Sequence, residues 1–257
     1  MNRVKQCVIL AAGQGTRIRS VSAGLPKPLV DFRGKPILEH VIKRAHHAGI
    51  EEFVIVLGYG SHLIRDWFGK FCWPDNMSVK WVENPDYHKQ NGISALKARN
   101  EIRGPFLLLM ADHIFDAETA ALMMEQPLAP DEVILAVDPN INRVFDLDDA
   151  TKVRRQGSFI LDIGKGISNY DALDTGMFLC SPTLFNRLES AIVDGDCSLS
   201  DGMRQLARGG RLRALDIGDA HWQDVDTPEA LAYAENDFHW RPHYEPAAAI
   251  LAGYPAS

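Results

Sequence analysis

The sequence predicts an α/β protein: a doubly wound, mostly parallel sheet of Rossmann-like type, with an antiparallel lid in its C-terminal third. Three observations carry this. Short apolar, β-branched runs alternate with amphipathic stretches over the first 140 residues, as strand–helix crossovers do. After residue 150 the pattern changes to short strands around a Gly turn, as in a hairpin. The chain has 257 residues, 46% of them hydrophobic and 24% charged, which is enough to bury one large core and leaves disorder an unneeded reading.

In order along the chain, CVILAA (7–12), FVIVLG (53–58), VKWVEN (79–84), PFLLLMAD (105–112) and VILAVD (133–138) read as buried strands. Between them, 36–49, 61–71, 93–102 and 117–126 carry apolar residues at helical spacing. Residues 151–165 read as a hairpin and 171–181 as a further strand. Helices follow over 182–192 and 198–209, then a strand at 211–218. A last helix over 227–238 opens with Thr227 as N-cap and Pro228 at the first helical position. Residues 1–238 are therefore expected to form a single domain in three parts: 1–140, a lid part 141–221, and a returning segment 222–238. The Pro-, Ala- and Tyr-containing tail 239–257 has no catalytic part assigned.

Composition excludes several classes. No apolar run reaches the roughly 18 residues of a membrane span, and the N-terminus enters a strand pattern without a signal-peptide core. Cys7, Cys72, Cys180 and Cys197 are scattered without metal-ligand spacing, as reduced thiols of a cytoplasmic protein are. A net charge of −7 argues against a nucleic-acid surface. No membrane or nucleic-acid partner is expected; a homo-oligomer is compatible with the sequence.

Against that acidic background, residues 1–35 hold seven Lys/Arg and a single acid, Asp31. The first strand ends in AAGQGTRIR, with Gly13 and Gly15 followed by Arg17 and Arg19, and Lys27 stands in PKPL. Glycines after a buried strand let backbone approach a ligand, and concentrated cations suit a polyphosphate. The loop is not the dinucleotide fingerprint GxGxxG, because position 18 is Ile18, nor the P-loop GxxxxGK(S/T). A nicotinamide-dependent oxidoreductase, with Asp31 as ribose-binding acid, is the rival this weakens. A non-catalytic regulatory module is the other.

LAAGQGTRIRS…LPKPLV resembles the signature of the sugar-phosphate nucleotidyltransferases. NGISALKARN, LMADHIF, DATKVRRQGSFILDIGK, YDALDTGMF, SLSD and WQDVDTPE are most similar to the inositol-1-phosphate cytidylyltransferases, over roughly residues 4–237. The resemblance implies an Mg2+-dependent enzyme joining CTP to a phosphorylated or phosphonylated small molecule, inositol 1-phosphate first, with release of pyrophosphate. Phosphocholine, 2-aminoethylphosphonate and a hexose 1-phosphate are the alternative acceptors.

Bringing two anions together requires a divalent cation and fixed positive charge. Asp112 closes an apolar strand, where open α/β sheets bind ligands, and Asp224 and Asp226 stand two apart, on one face of an extended strand. The resemblance makes Asp112 and Asp226 the metal pair and Asp224 a helper or alternate ligand. It makes Arg17 and Lys27 catalytic cations, for the departing phosphates and for the α-phosphate. For the nucleotide it implies Leu10, Ala11, Ala12, Gly13, Gly15 and Thr16, together with Gln90, Asn91, Gly92 and Ser94, which offer amides and a hydroxyl to a pyrimidine edge. Lys152, Lys165 and Asp174 are expected at the acceptor. Asp148 and Asp149 are expected to cap or orient the hairpin, and His113 to pack or orient, since a phosphate dianion needs no general base.

Overall fold

The structure is a computed structural model and describes residues 4–236. The tail 239–257, and with it the end of the expected domain at 237–238, lies outside the described residues. In chain order the elements are β1 (Gln6–Ala11), β2 (Asp31–Phe32), β3 (Lys35–Pro36), α1 (Ile37–His47), β4 (Glu52–Leu57), α2 (Ser61–Phe68), β5 (Ser78–Glu83) and α3 (Asn91–Lys97). There follow β6 (Phe106–Met110), β7 (His113–Phe115), α4 (Ala117–Met124), β8 (Val133–Asp138), β9 (Lys152–Gln156) and β10 (Phe159–Gly164). The last are β11 (Ala172–Cys180), α5 (Thr183–Ser190), α6 (Leu199–Arg208), β12 (Leu212–Asp216), β13 (Trp222–Asp224) and α7 (Pro228–Asn236).

Nine strands form one sheet in the order β5-β4-β1-β6-β11-β8-β12-β10-β9. Seven run in one direction; β11 and β10 run against them. The near-continuous apolar run of β1 follows from burial on both faces. Cys7, Ile9 and Ala11 pack with Ile37, Val41 and Ile42 of α1 on one side. Val8 and Leu10 pack on the other, in the cluster that holds Ile93, Phe185 and Met203 of α3, α5 and α6. No helix among the described residues is long and apolar enough to cross a membrane.

Several elements differ in detail from the sequence reading. The segment 171–181 becomes β11, which inserts antiparallel between β6 and β8 at the centre of the sheet. Its two faces explain this: Leu173, Met177 and Leu179 enter one core, and Ala172, Phe178 and Cys180 the other. The hairpin β9–β10 extends the sheet at its far edge, with β10 meeting β12 at Phe159 and Arg213 and β9 also pairing with β11. The helix expected over 93–102 starts two residues earlier and stops at Lys97, ahead of a separate 3-10 turn at Arg99–Glu101. The expected cap on α7 forms, Thr227 Oγ1 accepting from the Ala230 amide at 3.1 Å, and Ser198 with Asp201 forms a capping box on α6.

Two features aim side chains at the carboxyl end of the central strands. β11 is irregular between Asp174 and Phe178, where Gly176 has φ +74°. The short strands β7 and β13 pair antiparallel, Asp224 opposite His113, which carries the chain's late acids back to the end of β6.

Candidate active site

The loop after β1 is built around Lys27. Gly15 has φ +56°, and a Cβ there would stand 2.5 Å from the Lys27 Cβ, so glycine is required on both counts. A 3-10 turn at Lys27–Leu29 presents this lysine inward, where only 6% of it is exposed. Its ammonium donates to Asp112 Oδ2 at 2.7 Å and to Asp226 Oδ1, and lies 3.5 Å from Asp224 Oδ1. Burial opposes that charge, but the three aspartates outweigh it and hold Lys27 above the usual lysine range. Burial likewise works against an ionised Asp112, yet Lys27 and His113 hold its carboxyl well below the usual value.

His113 donates from Nδ1 to Asp112 Oδ1, 2.8 Å away, and its ring stacks on Trp222 at 5.9 Å between centroids. Burial disfavours its charged form, while Asp224 and Asp112 raise its pKa to about 9. The Trp222 indole donates to buried Asp138 at 3.0 Å, and Gly176 leaves room for the His113 ring: a Cβ there would lie 2.6 Å from it. Arg17 bridges the next layer, with one nitrogen on Asp149 Oδ2 at 2.8 Å and another on Asp226 Oδ2. Lys165 pairs with the other Asp149 oxygen.

Two hollows meet on this charge cluster. A groove of about 400 Å3 is lined by Gly13–Arg17, Tyr87, His88, Lys89 and Asp226. A cavity of about 270 Å3 is lined by Asp112, His113, Asp149, Lys165, Asp174 and Asp226, among others. Asp226 belongs to both walls, and Arg17 in the groove pairs with Asp149 in the cavity. Such an arrangement can hold two anionic groups side by side with fixed cations between them.

The family model described as the MobA-like NTP transferase domain matches residues 7–210. The chain belongs to this NTP transferase family. The chain is 36% identical over 230 residues to a bifunctional IPC transferase and DIPP synthase of Rubrobacter xylanophilus, covering 88% of this chain and 50% of that protein. A protein of the same description from Aquifex aeolicus is 30% identical over 236 residues, 90% of this chain and 51% of that one. The chain spans about half the length of these curated relatives. Among solved structures, an inositol-1-phosphate CTP transferase from T. maritima superposes with a TM-score of 0.80 at 24% identity, covering 89% of this chain and 92% of that one. A UDP-glucose pyrophosphorylase from Acinetobacter baumannii gives 0.74 at 19% identity, covering 90% and 92%. At these identities the structural likeness establishes the nucleotidyltransferase fold.

Gly13, Gly15, Thr16 and Arg17 line the groove, and Lys165 and Asp174 line the cavity. Burial lifts the Asp174 carboxyl to about 6, against a hydrogen bond from the Gly176 amide at 2.8 Å. Leu10, Ala11 and Ala12 are buried at the strand end; the Leu10 carbonyl accepts from the Ala111 amide and the Ala12 carbonyl from Tyr59.

Four expected contacts fall elsewhere. Ser94 is buried, and its hydroxyl accepts from Asn84 at 2.9 Å. Gly92 permits close chain packing, since a Cβ would meet the Cys197 carbonyl at 2.6 Å. Gln90 lines a separate hollow with Asp196 and Arg204. Lys152 is buried with its ammonium on the Asp148 carbonyl at 2.9 Å, and is absent from the cavity wall. Of the expected pyrimidine-edge residues, only Asn91 reaches the cavity, and its Oδ1 accepts from the Leu199 amide.

Sequence reasoning missed Tyr87 and His88, which line the groove with the glycine loop, and assigned Asp149 no part in the site. Asp149 was expected to orient the hairpin; it instead carries two cations of the site, which hold its carboxyl down at about 2 against the effect of burial. Its one signal in the sequence is the acid pair before β9. The acids also regroup. Asp112, His113 and Asp224 form one set with ligand atoms within 4.8 Å, and Asp149, Asp224 and Asp226 form another, so Asp224, expected as a helper or alternate ligand, is common to both.

Proposed function

We propose that this chain is an Mg2+-dependent cytidylyltransferase that joins CTP to inositol 1-phosphate, giving CDP-inositol and pyrophosphate. The observation that carries the reading is the pair of hollows meeting at Asp226, with Lys27 buried between their carboxylates. The names of the relatives from R. xylanophilus and T. maritima supply the nucleotide and the acceptor.

The triphosphate lies along the glycine loop, with open backbone at Gly13 and Arg17 on the phosphates that depart. The nucleoside occupies the groove against Tyr87–Lys89, next to the strand end at Leu10–Ala12. The acceptor sits in the cavity, its phosphate at Lys165 and its hydroxyls on Asp174 and neighbouring polar groups. An oxygen of the acceptor phosphate attacks the α-phosphorus of CTP, the bond from that phosphorus to the bridging oxygen breaks, and pyrophosphate leaves. Lys27 neutralises the α-phosphate as the two anions close, which is catalysis by position and charge. His113, held by Trp222 and Asp112, fixes the metal-side carboxylate and moves no proton.

The residues present fit a hard divalent cation. Asp112 and Asp224 belong to one set of close ligand atoms and Asp224 and Asp226 to the other, and Asp224 Oδ1 is buried without a hydrogen-bond donor. These three would hold Mg2+, which supplies charge neutralisation between the two phosphates. The single-domain division at 1–140, 141–221 and 222–238, with action in the cytoplasm on small molecules, completes the reading.

Pyrophosphate release tests it, with CTP, UTP, GTP, ATP and dTTP crossed against inositol 1-phosphate, glucose 1-phosphate, phosphocholine and 2-aminoethylphosphonate. Release with CTP and inositol 1-phosphate alone is the expected result. Release with CTP and a different acceptor keeps the chemistry and replaces the substrate; no release with any pair removes the reading.

A further inference from the structure

We propose that Asp149 is a positioning residue that occupies the phosphate-binding faces of Arg17 and Lys165 and hands these two cations to the substrates. This builds on the function proposed above, but it stands on a separate geometric fact. One carboxylate spans the two sides of the site: Oδ2 takes Arg17 of the nucleotide loop at 2.8 Å and Oδ1 takes Lys165 beyond β10. These cations lie 148 positions apart in sequence and belong to different hollows.

Among the described residues Lys165 pairs with Asp149 alone, and Arg17 is shared between Asp149 and Asp226. The side chains of Arg17 and Lys165 are 48% and 58% exposed, and surface cations with long stems adopt many rotamers unless an anion collects them. Asp149 collects both, at 29% exposure, from the connection between β8 and β9. An anion in that place has two opposite effects on a phosphate ligand. Its charge competes with the phosphates for the same donors, which weakens binding. Its geometry keeps those donors facing one another across the reacting centre, which favours turnover.

The two effects separate in the Asp149→Asn variant. Removing the charge strengthens binding of a polyanion at Arg17; removing the tether lowers the rate of the chemical step. A residue that merely stabilised the fold would not tighten a ligand while slowing the reaction. The neighbouring Asp148 is exposed and sits outside both hollows, so Asp148→Asn makes the same charge change without touching either cation.

The experiment has two arms, each with a melting curve to show that the variants fold. Calorimetric titration with inorganic tripolyphosphate reads the nucleotide-side cation without needing the base or the acceptor. The expected result is binding on the order of tenfold tighter in Asp149→Asn than in the wild type, and unchanged in Asp148→Asn. Turnover of CTP with inositol 1-phosphate should then show KM for both substrates falling together with kcat in Asp149→Asn only. Tripolyphosphate affinity that is equal or weaker in Asp149→Asn overturns the proposal, as does an undiminished kcat. If the wild-type protein turns over no substrate pair, the proposed function fails, while the tripolyphosphate arm still decides the placement of Asp149.

Discussion

Lys27 and Asp112 are 85 residues apart in sequence, and their charged groups lie 2.7 Å apart. The contact joins the loop after the first strand to the end of β6, and Asp224 and Asp226 close around the same ammonium. A buried cation with three carboxylates is expensive to desolvate, and the fold tolerates it only because the charges compensate one another.

Lys27→Ala should lower kcat by about 10²–10³, the 2.7–4 kcal/mol lost with one preorganised donor. Lys27→Arg should not restore the rate, because a planar guanidinium does not replace a compact ammonium in this buried place. Initial rates of pyrophosphate release at saturating substrates give the answer. A Lys27→Ala enzyme within threefold of wild type would take Lys27 out of the chemistry.

Chelation with EDTA should stop turnover and added Mg2+ restore it. Asp112→Asn and Asp226→Asn should each raise the half-saturating Mg2+ concentration by roughly tenfold or more. Because a cation bound only by the folded state stabilises it, Mg2+ should also raise the melting temperature of the wild type, and do so less in Asp224→Asn. An unchanged Mg2+ response in all three variants would move the metal away from these acids.

Gly176→Ala should destabilise the protein by about 1–3 kcal/mol, the range for a residue held in a disfavoured backbone region. The position has φ +74° and the new Cβ would meet the His113 ring at 2.6 Å. Activity should fall with stability, since the displaced ring is the one that holds Asp112. Denaturant unfolding and turnover, measured side by side, check both parts; a variant of wild-type stability would show that the irregular stretch of β11 yields.

Asp174 gives a pH dependence with a definite sign. Burial raises its folded-state pKa from 3.8 to about 6, so the folded protein holds a proton there that the unfolded chain releases. Its stabilising contribution is full below about pH 4 and is lost as the pH rises through about 6. Asp174→Asn does not titrate, so its melting temperature should gain on the wild type between pH 4 and 7. Parallel melting curves for the two proteins across that range would refute the assignment.

Part of this site was legible in one dimension. The glycine loop followed by Arg17 and Lys27 announces itself, because close backbone approach and concentrated positive charge require particular residue types at short spacing. Asp112 was legible as the acid closing an apolar strand, and Asp224 with Asp226 as a pair on one extended segment. Ser94 and Lys152 share one illegible feature: a hydroxyl and an ammonium look free in sequence, and only packing reveals that Asn84 and the Asp148 carbonyl hold them.

The sequence by itself determined the alternation of strands and helices, the helix caps at Thr227 and Ser198, and the loop chemistry around Gly15. All depend on neighbours within a few residues, where periodicity and backbone preference act directly. Tertiary structure alone decided that β11 would enter the middle of the sheet, that Asp149 would span Arg17 and Lys165, and that Asp224 would be shared by two acid sets. Each of these is a long-range pairing selected by burial and charge compensation among segments distant in the chain, and no local pattern specifies its partner.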